Sequence, residues 1–273
     1  MQPFDPIILS LILITPLAGA VLLAVLPDRG RLQQTAALIV TLITFGLTLH
    51  LPAHWHALAA GQFAFDQNLP WIASPAIRYH LGVDGLSMWL VVLSGLLAPL
   101  GVLASWNAIG SRKKLFYTLF LLQQVAMFGV FVSLDLFLYY AFWELALVPM
   151  TILIATFGRT EKRKRSAMKY FLYAFIPSAI LLVGILWLYT VTGTMDVPTL
   201  IHRYARGFLQ HRQGIIRGRF KRILYIVNDF IQLPFHHTLL NHNGHLLQFR
   251  YFIFYRYGVQ LQLVLIQIGR AHV

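Results

Sequence analysis

Six long apolar stretches, separated by short polar clusters, set the first constraint on this chain. They run roughly over Pro6–Leu26, Gln34–Leu51, Leu86–Ser105, Leu115–Val132, Leu136–Phe157 and Tyr170–Val191. Each is close to the roughly 20 residues that an α-helix needs to cross a bilayer core of about 30 Å. Only 11% of the residues are charged, against about a quarter in a soluble domain. Pro16, Pro99, Pro149 and Pro177 fall inside the stretches. Membrane helices tolerate such prolines because neighbouring helices satisfy the freed carbonyls. The expectation is an all-α polytopic membrane protein.

The net charge of +13 invites a nucleic-acid reading, but its distribution argues for an orientation signal. Arg29 and Arg31 follow the first span, Arg112, Lys113 and Lys114 the third, and Arg159, Lys162, Arg163, Lys164 and Arg165 the fifth. The opposite side carries Arg78 in the long loop 52–85, the turn Ser133–Leu134–Asp135 and the stretch around Asp196. Basic loops stay in the cytoplasm, so the N-terminus is expected outside. The leading residues "MQPFD" carry no basic residue, which argues for a retained first helix rather than a cleaved signal. No cysteine is present, which excludes disulfides and thiolate metal sites.

"DLFLYYAFWELALVPM", residues 135–150, places Glu144 near the middle of an apolar span. An ionised acid at the centre of a membrane helix costs about 3 kcal/mol on insertion scales, so such residues mark functional sites by default. Tyr140 lies one turn earlier on the same face. Pro149 leaves the carbonyl of Leu145 without its helical donor. The turn "SLD" makes spans four and five an antiparallel hairpin. Gln123 and Gln124, near the middle of span four, are therefore expected to reach the Glu144 carboxyl or to serve as interhelical glue. The Glu144 carboxyl is read as a proton-relay or ion-pairing group, with Gln123, Gln124 and Tyr140 in support.

Other features carry less. Asp84 fits a helix cap before span three. His50, His54, His56 and His80 lie toward the outer surface with Trp55 and Trp71, and "HWH" offers two metal ligands without a third. "RTEKRKR" reads as a topogenic loop before an anionic-lipid site. There is no P-loop, dinucleotide fingerprint or nucleophile elbow.

"HLGVDGLSMWLVVLSGLLAPLGVLASW" (80–106), "FWELALVPM" (142–150) and "KYFLYAFIPSAILL" (169–182) resemble the subunit M and chain 4 family of proton-pumping NADH-quinone oxidoreductase, respiratory complex I. The resemblance covers about residues 1–200. It implies an antiporter-like fold of inverted repeats with broken helices, cut short here after about six transmembrane helices. The implied function is a proton path coupled to electron transfer from NADH to quinone in a non-redox subunit. Other subunits would hold the NADH, flavin, iron–sulfur and quinone sites, so this chain is expected to bind no cofactor and no metal. Implied partners are the L- and N-type antiporter-like subunits and the lipid bilayer, with no nucleic acid. The implied location is a bacterial inner membrane. The family pairs its fifth-helix glutamate, here Glu144, with a lysine on a later broken helix, and no position here matches that lysine. Lys169 lies at the cytoplasmic start of span six and reads as interfacial. Related multisubunit cation/proton antiporters and membrane-bound hydrogenases share the fold and are the alternative; a passive membrane scaffold is a third.

Residues 201–273 differ in character. They hold 10 of the 22 Lys and Arg, 7 of the 11 His and one acid, Asp229. Their Arg residues break every apolar run, making midplane insertion costly. The chain ends in "IGRAHV", which resembles the translation of a sequencing adapter. This irregular basic tail is expected to be a frame or assembly artefact.

Overall fold

The computed structural model describes residues 7–28, 30–55, 62–73, 75–158 and 161–202. The readings of the tail beyond residue 202 lie outside these residues. Among the described residues, six helices are long and apolar enough to cross a membrane. They are α1 (Ile8–Val25), α2 (Gly30–Ala53), α3 (Gly85–Ser105), α4 (Lys113–Val132), α5 (Leu136–Phe157) and α6 (Arg163–Thr192). The expected spans are all present. α6 starts seven residues before the apolar stretch, at Arg163 rather than Tyr170. Hydropathy registers only the bilayer part of a helix, whereas Arg, Lys, Ala and Met are good helix formers in any solvent.

The expectation of an all-helical chain is corrected at one place. The loop between α2 and α3 folds as an antiparallel β-hairpin of β1 (Ala64–Ile72) and β2 (Ile77–Val83); outer and inner denote the end of the bundle that carries this hairpin and the end opposite it. An extra residue in β1 between Ala64 and Gln67 makes a bulge, with Phe65 at φ 54°. β1 shows little apolar–polar alternation and contains Pro70, so it does not read as a strand from its own residues. Ser10 of α1 anchors it, donating to Gln67 Oε1 at 2.6 Å with its oxygen 3.0 Å from the Tyr79 hydroxyl.

α4 packs against α1, α2, α3 and α5, and 14 of its 20 residues are buried. In α6, 4 of 30 are buried, so α6 forms the edge of the bundle. The α4–α5 hairpin is closed by the three residues 133–135, as expected. Its two helices approach closely at Gly129, where an added Cβ would lie 2.1 Å from the Phe142 ring.

The apolar core is divided in depth. One cluster joins Ile8–Leu13 of α1, Met88–Val91 of α3 and Val125–Val132 of α4 toward the outer end. A second joins Leu23, Val102 and Phe116–Leu121 toward the inner end. Polar residues occupy the gap between them on successive helices. Thr41, Thr44, Ser94, Gln123 and Gln124 are buried there, with Glu144 partly buried.

Candidate functional site

Glu144 lies eight residues from the outer end of α5, and Gln124 eight from the outer end of α4. Ser94 lies nine from the outer end of α3. At 1.5 Å per residue all three sit about 12–14 Å below the outer helix ends, at one depth. Thr41, Thr44 and Thr48 of α2 satisfy themselves against their own helix. Thr41 Oγ1 donates to Ala37 O, Thr44 Oγ1 to Val40 O and Thr48 Oγ1 to Phe45 O. The longer side chains do not. Glu144 Oε1, Gln123 Oε1 and both amide atoms of Gln124 are buried without a hydrogen-bond partner.

The glutamines and Glu144 therefore share a depth but do not meet, contrary to the contact expected across the hairpin. Helical rotation gives the reason. At 100° per residue, the face formed by Phe120, Gln123, Gln124 and Met127 is turned about 170° from Gly129, and Glu144 is turned about 160° from Phe142. Since Gly129 and Phe142 are the point of contact, both polar groups face away from the seam. The glutamines look toward α3. Glu144 lies on the face of α5 turned toward α6, with Tyr140 one turn back as its hydrogen-bonding neighbour. Tyr140 itself packs with Leu181, Ile185 and Tyr189 of α6.

No ion pair involves Glu144 among the described residues. Lys169 is exposed and lies 23 residues from the outer end of α6, far from the depth of Glu144. It lies six residues into α6, which begins at Arg163.

At the outer end, the structure assembles a polar cluster that the sequence did not single out. His80, 2% exposed, sits on β2 between two acids. Its Nδ1 is 2.5 Å from Asp196 Oδ1 and its Nε2 is 2.8 Å from Asp66 Oδ1. Asp66 lies two residues before Asn68, the cross-strand partner of His80, and so on the same face. Thr199 donates through its backbone N–H and its hydroxyl to Asp196 Oδ2. Burial opposes charge on His80, but hydrogen bonds to Asp196 and Asp66 and their charges outweigh it, so its pKa is raised. Burial likewise acts against ionised Asp196, but His80 and Thr199 hold its pKa below the ordinary value.

Backbone bonds reinforce this clasp. Leu134 N donates to His80 O, Leu136 N to Met195 O, and Val197 N to Leu134 O, all at 2.8–2.9 Å. Asp135, fully buried, caps α5 by accepting from Phe137 N and Leu138 N and also accepts from Arg78 N. Three segments far apart in sequence are thereby tied over the outer ends of α4, α5 and α6. The signal that could have revealed the cluster is that Asp66, His80, Asp135 and Asp196 all fall on the side lacking basic loops.

Asp84 caps α3 as expected, in a reciprocal box with Ser87. The rings of His50 and His54 stack at 4.0 Å, and His56 lies outside the described residues. Among the described residues no three His, Cys, Asp or Glu side chains gather as a metal site.

Residues 34–139 match the family described as NADH-ubiquinone oxidoreductase chain 4, amino terminus. Residues 133–236 match the family described as NADH:quinone oxidoreductase/Mrp antiporter, TM, a match that continues beyond the change of composition near residue 201. NADH-quinone oxidoreductase subunit M of Rhodobacter capsulatus is 38% identical over 199 residues, covering 71% of this chain and 38% of the relative. NADH-ubiquinone oxidoreductase chain 4 of Arabidopsis thaliana is 34% identical over 194 residues, covering 71% of this chain and 39% of the relative. A chain in the solved structure of respiratory complex I from Thermus thermophilus with bound NADH shares the fold, with TM-score 0.59 and 24% identity over 69% of this chain and 38% of that one. The chain thus spans less than two-fifths of the length of these curated relatives.

Proposed function

The chain belongs to the subunit M and chain 4 family of NADH-quinone oxidoreductases, and we propose that it forms the amino-terminal part of a membrane subunit that carries protons across the bilayer. In this reading the movement is driven by electron transfer from NADH to quinone in other subunits, and this chain binds no redox cofactor. The observation that carries the proposal is Glu144. It is an acid at mid-membrane depth with one carboxylate oxygen lacking a partner and a tyrosine hydroxyl beside it. An acid kept there without an ion pair costs stability, which a purely structural role does not explain. Gln123 and Gln124 contribute polarity at the same depth on the next helix, not direct bonds to the acid.

Replacing Glu144 by Gln in the intact complex is the test. Glutamine keeps the volume and the hydrogen bond to Tyr140 but cannot release a proton. Proton uptake into inverted membrane vesicles on NADH addition is expected to fall severely, with complex assembly unchanged on native gels. Undiminished pumping with normal assembly would remove Glu144 from the mechanism and favour a passive scaffold.

A second reading, a subunit of a multisubunit cation/proton antiporter, is favoured by the breadth of the match over residues 133–236, whose description covers both kinds of complex. Neighbouring genes separate the two: oxidoreductase subunits of L and N type, which would also be the partners, or a string of antiporter genes.

The proposed location is a bacterial inner membrane with the N-terminus outside. Arg31, Arg112, Lys113, Lys114 and Lys162–Arg165 gather at the inner helix ends, while the hairpin, Asp135 and Asp196 gather at the outer ends. The chain lacks cysteine, so a single cysteine at Trp71 or at Lys164 reports its side by labelling with a membrane-impermeant maleimide. Labelling of the Lys164 position from outside would invert the assignment.

A further inference from the structure

α6 is 30 residues long, about 45 Å at 1.5 Å per residue. That matches the roughly 40–45 Å of a bilayer with its headgroup layers rather than the 30 Å of its hydrocarbon core. The apolar run from Tyr170 fills the core, so residues 163–169 stand in the headgroup layer at the inner end. The buried residues of α6, Ala167, Ala174, Ser178 and Ile185, fall within about 40° of one line along the helix at 100° per residue. The opposite side carries Lys162 at the N-cap, then Arg165, Lys169, Leu172, Tyr173 and Ile176, all exposed.

One face thus runs from three cations into an apolar surface, where Leu172, Tyr173 and Ile176 are 47%, 74% and 52% exposed. The arrangement is costly by itself. Like charges four residues apart, such as Arg165 and Lys169, repel each other on a helix. Cations in the first turn oppose the helix dipole. Glu161, the nearest acid in sequence, precedes the helix. An orientation signal depends on how many bases a loop holds. It does not require them on the side of the next helix that faces away from the bundle, one turn from exposed apolar residues.

We propose that this face of α6 binds a phospholipid of net negative charge in the leaflet at the inner end. Arg165 and Lys169 hold its phosphate, with Lys162 at the rim, and an acyl chain lies along Leu172, Tyr173 and Ile176. The arginine offers a planar fork of donors to phosphate oxygens and the lysine a point charge. The stem of Lys169 covers apolar surface while its ammonium reaches up to the headgroup. Charge selects the lipid, because the ammonium of a zwitterionic headgroup is repelled by the same three cations. The face lies opposite the residues that α6 buries against the bundle, so it is separate from Glu144. The site stands whether or not Glu144 carries protons.

Photo-crosslinking in the intact complex, held in lipid nanodiscs, tests this. The probes are phosphatidylglycerol and phosphatidylcholine, each with a diazirine on one acyl chain, and labelled residues are mapped by mass spectrometry. At equal mole fraction, phosphatidylglycerol is expected to label residues 172–176 about fivefold more than phosphatidylcholine, the factor that one basic residue contributes near an anionic lipid. Val183 and Trp187 continue the same face beyond the last basic residue of α6 and are expected to show no preference. The double variant Arg165→Gln with Lys169→Gln is expected to bring phosphatidylglycerol labelling at 172–176 down to the phosphatidylcholine level. Equal labelling by the two probes in the unaltered complex would overturn the proposal, even if the variant does not assemble. So would a preference that survives the double variant. Absence of any lipid label at 172–176 would also overturn it, and would mean that protein covers this face.

Discussion

His80 and Asp196 stand 116 residues apart in the chain, yet His80 Nδ1 and Asp196 Oδ1 meet at 2.5 Å beneath the β-hairpin. With Asp66 on the other imidazole nitrogen, this contact fixes the hairpin over the outer ends of α5 and α6. Its response to pH follows from the two shifts. His80 has a raised pKa, so its contribution is complete below about pH 6.5 and is lost as pH rises through the raised value. Asp196 has a lowered pKa, so its contribution is present above about pH 3.9 and is lost as pH falls through the depressed value. Asp135 and Arg78, which also face this region, are not substituted in the test. Amide hydrogen exchange at Leu134, Leu136 and Val197, corrected for intrinsic rates, is expected to be slowest in mildly acidic solution and to quicken toward alkaline pH. His80→Gln is expected to flatten the alkaline limb. Asp196→Ala leaves the buried imidazolium with Asp66 alone and is expected to cost about 3 kcal/mol, roughly a hundredfold faster opening. Protection independent of pH from 5 to 9 (on the order of the range spanned by these ordinary values) would show that the clasp holds without charge on His80.

Stability and function are expected to separate at Glu144. Its Oε1 has no partner, so replacement by Leu removes a polar group from the membrane interior and leaves only the Tyr140 hydroxyl to find another acceptor. Glu144→Leu is expected to leave the melting temperature of the purified complex unchanged or raise it, with a gain of up to about 3 kcal/mol, while proton pumping is lost. A marked fall in melting temperature would identify a structural partner for the acid.

The α4–α5 seam depends on the absence of a side chain at Gly129. An added Cβ would sit 2.1 Å from Phe142 Cγ, so either the ring or the helix must move. Gly129→Ala is expected to destabilise the hairpin by about 1–3 kcal/mol, read as lower yield and lower melting temperature. The double variant Gly129→Ala with Phe142→Leu should recover part of the loss. No recovery would mean that the strain falls on the backbone.

Asp135 serves three backbone donors. Asp135→Ala is expected to cost about 1–2 kcal/mol through loss of the cap. Burial raises the Asp135 pKa against the pull of its Leu138, Arg78 and Phe137 amides. A raised carboxyl pKa stabilises the fold below the unfolded value and loses that contribution as pH rises through the folded one. Asp135→Asn keeps an acceptor without charge, so it should cost less than Ala and remove this slope. Equal losses in thermal melts of the two variants would count against it.

The spans were legible because bilayer thickness leaves few ways to hide an apolar stretch. The depth of Glu144 followed from counting along the same helix, but its direction did not. A three-residue turn says that two helices are neighbours, not which faces meet. Gly129 and Phe142 settle that, a small residue receiving a ring, and they are visible as residue types once the question is asked. The hairpin was not legible because β1 carries a proline and an irregular register, and its stability comes from Ser10 and from residues 134–197 rather than from its own pattern. His80 was grouped with the surface histidines for a related reason: its two acids lie 14 and 116 positions away.

The distance along the chain between His80 and Asp196 has a consequence for biogenesis. At about 5–20 residues per second, Asp196 is synthesised roughly 6–23 s after His80. Throughout that interval the hairpin lacks its second acid. Only when α6 has crossed and delivered residues 195–197 can the imidazole be enclosed. Closure of the clasp therefore marks that α1 to α6 have been threaded in order.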